Sequence, residues 1–150
     1  ALAPLLVELA AAFYADFNAD GREAEIDIAE GLSPILGDPQ AVLRIYTNLF
    51  QNAIKHGAGD LYIRAFQEDG VVVTCFTNLA PGLLPQDVEH LFDRFFTADR
   101  MRTGQDTGLG LAIVHRLAMQ MGGETEALLL QNKLTITVRW PAVKPPEGRR

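Results

Sequence analysis

Leucines and alanines recur at helical spacing from about residue 4 to residue 17 and stop at the turn cluster "NADG", so the pattern predicts a first helix. The alternation in "AEIDIAE" predicts a strand. "GDPQ" then supplies Asp38 as an N-cap and Pro39 as a first helical residue, and a helix is expected from there to about Lys55. "DLYIRAFQ", "EDG" and "VVVTCFT" read as a hairpin. After the loop "NLAPGLLP" a short helix is expected over "QDVEHLF". From Thr97 to Thr107 only Ala98 and Met101 are apolar and no period is present, the mark of a long functional or disordered loop. "GLGLAIVHRLAMQMGG" reads as a helix opened by Gly108 and Gly110 and closed by Gly122. "ETEALLL", "QN" and "KLTITVRW" form a second hairpin, and "PAVKPPEGRR", residues 141–150, reads as a solvated tail. This order predicts an α/β two-layer sandwich: a mixed, mostly antiparallel sheet covered on one face by about three helices.

At 150 residues the chain suits one domain, expected over residues 1–140, and its 48% hydrophobic content is that of an ordinary globular protein. A net charge of −6 argues against an extended nucleic-acid or acidic-membrane footprint, while leaving room for a local phosphate site. The lone Cys75 sits in an apolar run, where it reads as a buried thiol and fits a reducing, cytoplasmic setting. The N-terminus lacks a basic region and contains Glu8, and no apolar run is long enough to cross a bilayer, so membrane contact by this segment is not expected. Starting without methionine and in mid-pattern, the chain is expected to be a piece of a longer protein, whose other parts can be membrane-anchored.

Three stretches carry chemistry. On the helix after Pro39, Val42, Ile45, Leu49 and Ala53 form the core-facing row, and Arg44, Asn48, Asn52, Lys55 and His56 lie along the next. Asparagine is a poor helix former, so two of them one turn apart need a reason. An Asn oxygen suits Mg²⁺ and Lys55 suits phosphate; for any one of these residues alone, a solvated helix face explains as much. In "DTGLGLAIV", glycines opening a helix let a phosphate approach unpaired N–H groups, or simply form a tight turn. In "LFDRFF", Phe92, Phe95 and Phe96 anchor the polar segment that follows, giving residues 96–107 the form of a lid. Arg94, Arg100 and Arg102 would be carried toward a γ-phosphate or a partner, or remain solvated. His90 and His115, beside charged neighbours, read as surface or structural residues.

Taken in this order and spacing, "NLFQNAIKHG", "NLAPG", "LFDRFF" and "TGLGLAIV" resemble the asparagine, first glycine, phenylalanine and second glycine boxes of one family. This is the catalytic ATP-binding domain (HATPase_c, GHKL superfamily) of two-component sensor histidine kinases, and the resemblance spans about residues 37–140. Gyrase, the mismatch-repair ATPase and a heat-shock chaperone share the fold, but "FDRFF" followed by "ADR" points to the kinases. The resemblance implies ATP and Mg²⁺ as cofactors. It implies Asn52 as the metal ligand, Asn48 supporting metal and phosphates, Lys55 on phosphate, His56 near the nucleotide and Arg94 reaching the γ-phosphate. Asn78, Ala80 and Gly82 match the first glycine box. Gly108 and Gly110 match the second, with Thr107, Leu109 and Leu111 beside them. Asn52, Lys55 and Arg94 would be the catalytic set.

Three positions depart from the family's pattern. Asn78 stands where an Asp usually accepts from the adenine amino group, and because an amide also donates, weakened discrimination of ATP over GTP is expected. Ala80, in place of Gly, is expected to narrow the pocket, and Asp106, in place of the first glycine of the second glycine box, brings negative charge near the phosphates. His56, His90 and His115 lack the acidic partner and proline that follow the family's phosphoacceptor histidine. The resemblance therefore implies partners: a dimerisation domain carrying that histidine and a response regulator downstream, with no nucleic acid. The alternatives are a nucleotide-sensing or structural module without phosphotransfer, and an anti-sigma-like serine kinase of the same superfamily.

Overall fold

The computed structural model describes residues 1–94, 96 and 110–143; Phe95, the expected lid beyond Phe96 (residues 97–107, with Asp106 and Thr107), Gly108 and Leu109 lie outside that set, as do residues 144–150. Helix α1, Leu2–Ala12, buries Leu2, Leu6 and Leu9, an apolar stripe at helical spacing. Where the sequence predicts one helix, the chain turns at Phe13 (φ −94°, ψ 4°) and restarts as α2, Tyr14–Ala19. The Phe13 ring stacks on Phe50 at 5.5 Å, and Leu9 before the bend and Phe17 after it both pack in the core.

Strand β1, Ala24–Ile28, leads to α3, Pro39–His56. The Asp38 carboxylate caps α3 by accepting from the Gln40 N–H at 3.0 Å, with Pro39 in the first turn, as the "GDPQ" signal requires. Strands β2, Ala58–Glu68, and β3, Val71–Leu79, form the first hairpin. A 3₁₀ helix, Pro85–His90, replaces the expected short helix, and the Asp87 carboxylate accepts from the Leu84 N–H at 2.8 Å at its start. Helix α4, Gly110–Gln120, ends at Gly122, whose φ of 78° suits a residue without Cβ; the Gly123 N–H then closes on the Ala118 carbonyl at 2.8 Å. Strands β4, Glu124–Leu130, and β5, Lys133–Pro141, complete a five-stranded sheet in the order β1-β2-β3-β5-β4. Only β1 and β2 are parallel, so the sheet is mixed and mostly antiparallel. Both hairpins turn on consecutive residues with positive φ, Asp69 with Gly70 and Gln131 with Asn132, matching the twist of paired strands.

Alternation sorts the sheet's faces. Ile63, Phe76 and Ile136 stand in register on the face that buries against Ile45, Leu49 and Phe50 of α3 and Val114 of α4. Glu25, Tyr62, Thr77 and Thr135 lie in register on the other. The described start of the segment expected to be solvated, residues 141–143, instead joins the fold. The Ala142 N–H donates to the Gly70 carbonyl at 2.9 Å and the Val143 N–H to the Pro34 carbonyl at 3.0 Å, so these donors have backbone partners rather than water.

A buried polar relay fixes α3 on the sheet. The Trp140 indole N–H donates to the Tyr46 hydroxyl at 2.8 Å, that hydroxyl pairs with Thr74 Oγ1 at 2.8 Å, and Thr74 donates to the Val138 carbonyl at 3.2 Å. Burial pushes the Tyr46 phenol up to about 12, so it stays protonated and can donate. Tyr46→Phe leaves the Trp140 N–H without its acceptor and should cost about 1–3 kcal/mol, measured by urea unfolding, with little change in the denaturant slope.

Candidate functional site

Helix α3 exposes its polar stripe beside α4. Asn48, Asn52, Lys55 and His56 follow one another at helical spacing, flanking the buried row of Ile45, Leu49 and Ala53. The Asn48 amide donates to the Gly110 carbonyl at 3.4 Å, a long bond that ties the stripe to the first described turn of α4. Asn52 is half-buried, and its amide has no hydrogen-bond partner among the described residues. Lys55 is exposed and makes no ion pair among them. His56 is half-buried, and Arg94 is exposed in the turn beyond the 3₁₀ helix. No cluster of three or more His, Cys, Asp or Glu residues suited to a metal occurs among the described residues.

The far end of α3 is anchored by Arg22, a residue that no local pattern singles out. Arg22 is 9% exposed and reaches three carbonyls: Gly59 at 2.6 Å, Ala53 at 2.9 Å and Ile54 at 3.3 Å. Its guanidinium also lies over the Phe17 ring, 5.1 Å from the centroid. The last turn of α3 leaves carbonyls unsatisfied at the negative end of the helix dipole, and a cation with a planar set of donors answers both.

Asn78 stands at the end of β3, 6% exposed, on the helix-covered side of the sheet with Val72, Thr74 and Phe76. Its amide nitrogen donates to the Leu79 carbonyl at 2.8 Å. Against it lies Gly57, the residue that ends α3; a Cβ there would sit 2.3 Å from the amide nitrogen. Ala80, expected to narrow a pocket, is instead 1% exposed and packs in the core. Its N–H donates to the Asn132 carbonyl at 2.7 Å, pinning the loop that carries half-buried Gly82 to the second hairpin turn. Leu111, at 8% exposure, likewise faces the core, while Gly110 is exposed with open space where a side chain would go.

The aromatic anchor is partly visible. Phe92 lies 5.5 Å from the His115 ring and Phe96 lies 5.7 Å from the His90 ring. His115 Nδ1 bonds Thr125 Oγ1 at 2.6 Å, a link between α4 and β4 that gives it a structural place. His90 Nδ1 bonds the Asp93 carboxylate at 2.9 Å, which raises its pKa above the usual histidine value, with nearby Glu89 adding to the effect. A groove of about 770 Å³ runs along the uncovered sheet face between Glu25, Asp27, Tyr62, Arg64 and Lys133. It lies across the sheet from the α3 stripe, and Asn48, Asn52 and Lys55 are not in its walls.

The family model described as "Histidine kinase-, DNA gyrase B-, and HSP90-like ATPase" matches residues 37–144. A sensor histidine kinase component of Mycobacterium tuberculosis is 35% identical over 97% of this chain and 84% of its own length. The sensor protein VanS of Enterococcus faecium is 31% identical over 93% of the chain. The chain spans 37% of VanS and 25% of the Escherichia coli kinase BaeS, so it corresponds to one part of such proteins. Among solved structures, full-length ShkA in complex with AMPPNP superposes with a TM-score of 0.83 and 27% identity over 100% of this chain and 32% of that one. The catalytic domain of the histidine kinase ThkA, at 21% identity and a TM-score of 0.80, shares the fold over 93% of this chain and 91% of its own. The chain belongs to this histidine kinase-, gyrase B- and HSP90-like ATPase family.

Proposed function

We propose that the chain is the catalytic domain of a sensor histidine kinase: it binds Mg-ATP between α3, the end of β3 and α4, and donates the γ-phosphoryl to a histidine on a separate dimerisation domain. One observation carries this reading. Asn48 and Asn52 stand one turn apart on α3, facing α4, and the Asn52 amide has no partner among the described residues although it is half-buried. A neutral amide oxygen beside a lysine without an ion pair fits a cation bridged to phosphates better than it fits a solvated surface. The names of the relatives and the AMPPNP bound to ShkA support the same reading.

Asn52 would hold the Mg²⁺ through its side-chain oxygen, with Asn48, braced on the Gly110 carbonyl, supporting metal and phosphates. The metal, when bound, neutralises charge on the phosphate oxygens. Lys55 contributes a point charge to the phosphates and His56 flanks the nucleotide. Asn78 and Gly82 face the base, with Ala80 holding their loop on the core. The second glycine box, Thr107 to Leu111, would present backbone N–H groups to the phosphates. Arg94 would meet the γ-phosphate. Phosphoryl transfer asks mainly for positioning and charge neutralisation, so this chain supplies geometry and the partner supplies the nucleophile. The destination of the phosphoryl group beyond that histidine would be a response regulator, in a cytoplasmic setting.

The test is phosphotransfer from γ-labelled ATP, with the phosphoacceptor histidine domain supplied on the same polypeptide or as a separate protein. Acid-labile label on that histidine is the expected result, with little turnover by the chain alone. Nucleotide binding without any transfer would contradict the kinase assignment.

A further inference from the structure

The face of the sheet away from the helices carries both a knob and a hole. Leu128 and Leu130 of β4 are 50% and 62% exposed, and register places them on this face beside Thr135 and Lys133 of β5. The groove lies toward the opposite edge. Its walls come from β1, β2 and β3 with only Lys133 and Thr135 from β5, and they include the exposed side chains of Tyr62 and Leu79. In the middle of the face the polar groups satisfy one another: Thr77 and Thr135 share a hydrogen bond at 2.8 Å, and Thr137 Oγ1 donates to Cys75 Sγ at 3.6 Å. Covering the middle therefore strands few donors.

Strand order relates knob to hole. In β1-β2-β3-β5-β4 the central strand is β3, and β4 stands as far from it on one side as β1 does on the other. A two-fold axis along β3 sets β4 of one copy over β1 of another, so that Leu128 and Leu130 enter the second copy's groove. The strands of the two sheets then run aligned, as in a sandwich. Lys133, which makes no ion pair among the described residues, comes over Asp60 at the same end of the sheet, twice by symmetry. One like-charged pair is opposed, Asp27 over Glu126, and each carboxylate has a base beside it: Arg64 in register with Asp27, and Arg139 at 3.3 Å from Glu126. An axis across the strands would instead set every strand over its own copy, with the acids Glu25 and Asp27 over acids and the bases Lys133 and Arg139 over bases. We infer that a second copy of this chain docks face to face on the uncovered sheet, about a two-fold axis along β3. Five strands about 4.8 Å apart and roughly 25 Å long offer a face of roughly 600 Å² per copy, near the low end of specific interfaces, so the dimer is weak and reversible. The α3 stripe lies on the other layer and stays open.

Sedimentation velocity of the purified chain, from micromolar to sub-millimolar concentration, should show a reversible shift from monomer to dimer. Leu128→Asp should weaken dimerisation at least about tenfold while leaving the thermal midpoint of the dilute chain unchanged, because the leucine is half exposed in the single copy. Lys133→Glu should weaken it to a similar degree, whereas Arg116→Glu, the same change of charge at an exposed position on α4, should not. Cys75, the only cysteine, sits on β3 at the middle of the face and gives a second readout: its alkylation by N-ethylmaleimide should slow as the concentration rises, and Leu128→Asp should abolish that protection. A chain that stays monomeric at sub-millimolar concentration overturns the inference and leaves this face to a different partner. A dimer left intact by both Leu128→Asp and Lys133→Glu, or alkylation of Cys75 that does not depend on concentration, overturns it too, since the copies then meet through another surface.

Discussion

Arg22→Ala should lower the unfolding free energy by about 2–4 kcal/mol, a loss read as a fall of roughly 5–15 °C in the thermal midpoint. The expected size follows from what the guanidinium does. It donates to the carbonyls of Ala53, Ile54 and Gly59 from a position 9% exposed, so its removal strips partners from the end of α3 and from the start of β2 at once. The Ala53 carbonyl also accepts from the Gly57 N–H at 3.0 Å and keeps one partner; the loss is therefore less than that of three orphaned groups. Packing over Phe17 disappears as well. Arg22→Lys retains charge but has a point donor in place of the fork, and should recover less than half the loss. Thermal unfolding of the three proteins by circular dichroism checks both expectations, and an Arg22→Ala midpoint within a degree or two of wild type would contradict them.

Asn52→Ala should weaken Mg-nucleotide binding by roughly tenfold to a hundredfold while leaving the thermal midpoint of the unliganded chain almost unchanged. These two readouts separate a ligand role from a structural one. Among the described residues the Asn52 amide holds no partner, so truncating it breaks no internal hydrogen bond, and alanine favours the helix more than asparagine does. The loss should also depend on magnesium: with the metal chelated, wild type and variant should bind nucleotide with similar weak affinity. Equal magnesium-dependent affinity in both proteins would remove Asn52 from the metal site.

Local rules made most of the fold legible. "GDPQ" announced the start of α3, the alternating runs marked the strands, and "QN" fell on the turn where Gln131 and Asn132 both adopt positive φ. The misreadings came from tertiary demands that local pattern does not encode. A continuous leucine-alanine period concealed the bend at Phe13, whose cause is a ring 37 residues away at Phe50. The stretch from Pro141 onward is rich in proline and reads as tail, yet Ala142 bridges Ile35 across the chain. The same division holds at the site. Asn48, Asn52 and Lys55 stood out because two asparagines inside an amphipathic helix break a local preference. Arg22 could not stand out, since its partners lie 31 to 37 positions along the chain and "DGREAE" looks like any solvated turn. Ala80 and Asn78 were visible as departures from the family pattern, but only the structure shows the core around one and Gly57 beside the other.

Calorimetric titration of the purified chain with ADP and with a non-hydrolysable ATP analogue, in magnesium and again with the metal chelated, tests the central claim most directly. One-to-one binding of both nucleotides that strengthens when magnesium is present is the expected result. Absence of binding at millimolar nucleotide in magnesium would contradict it, and would leave the chain as a structural module with the fold of an ATPase.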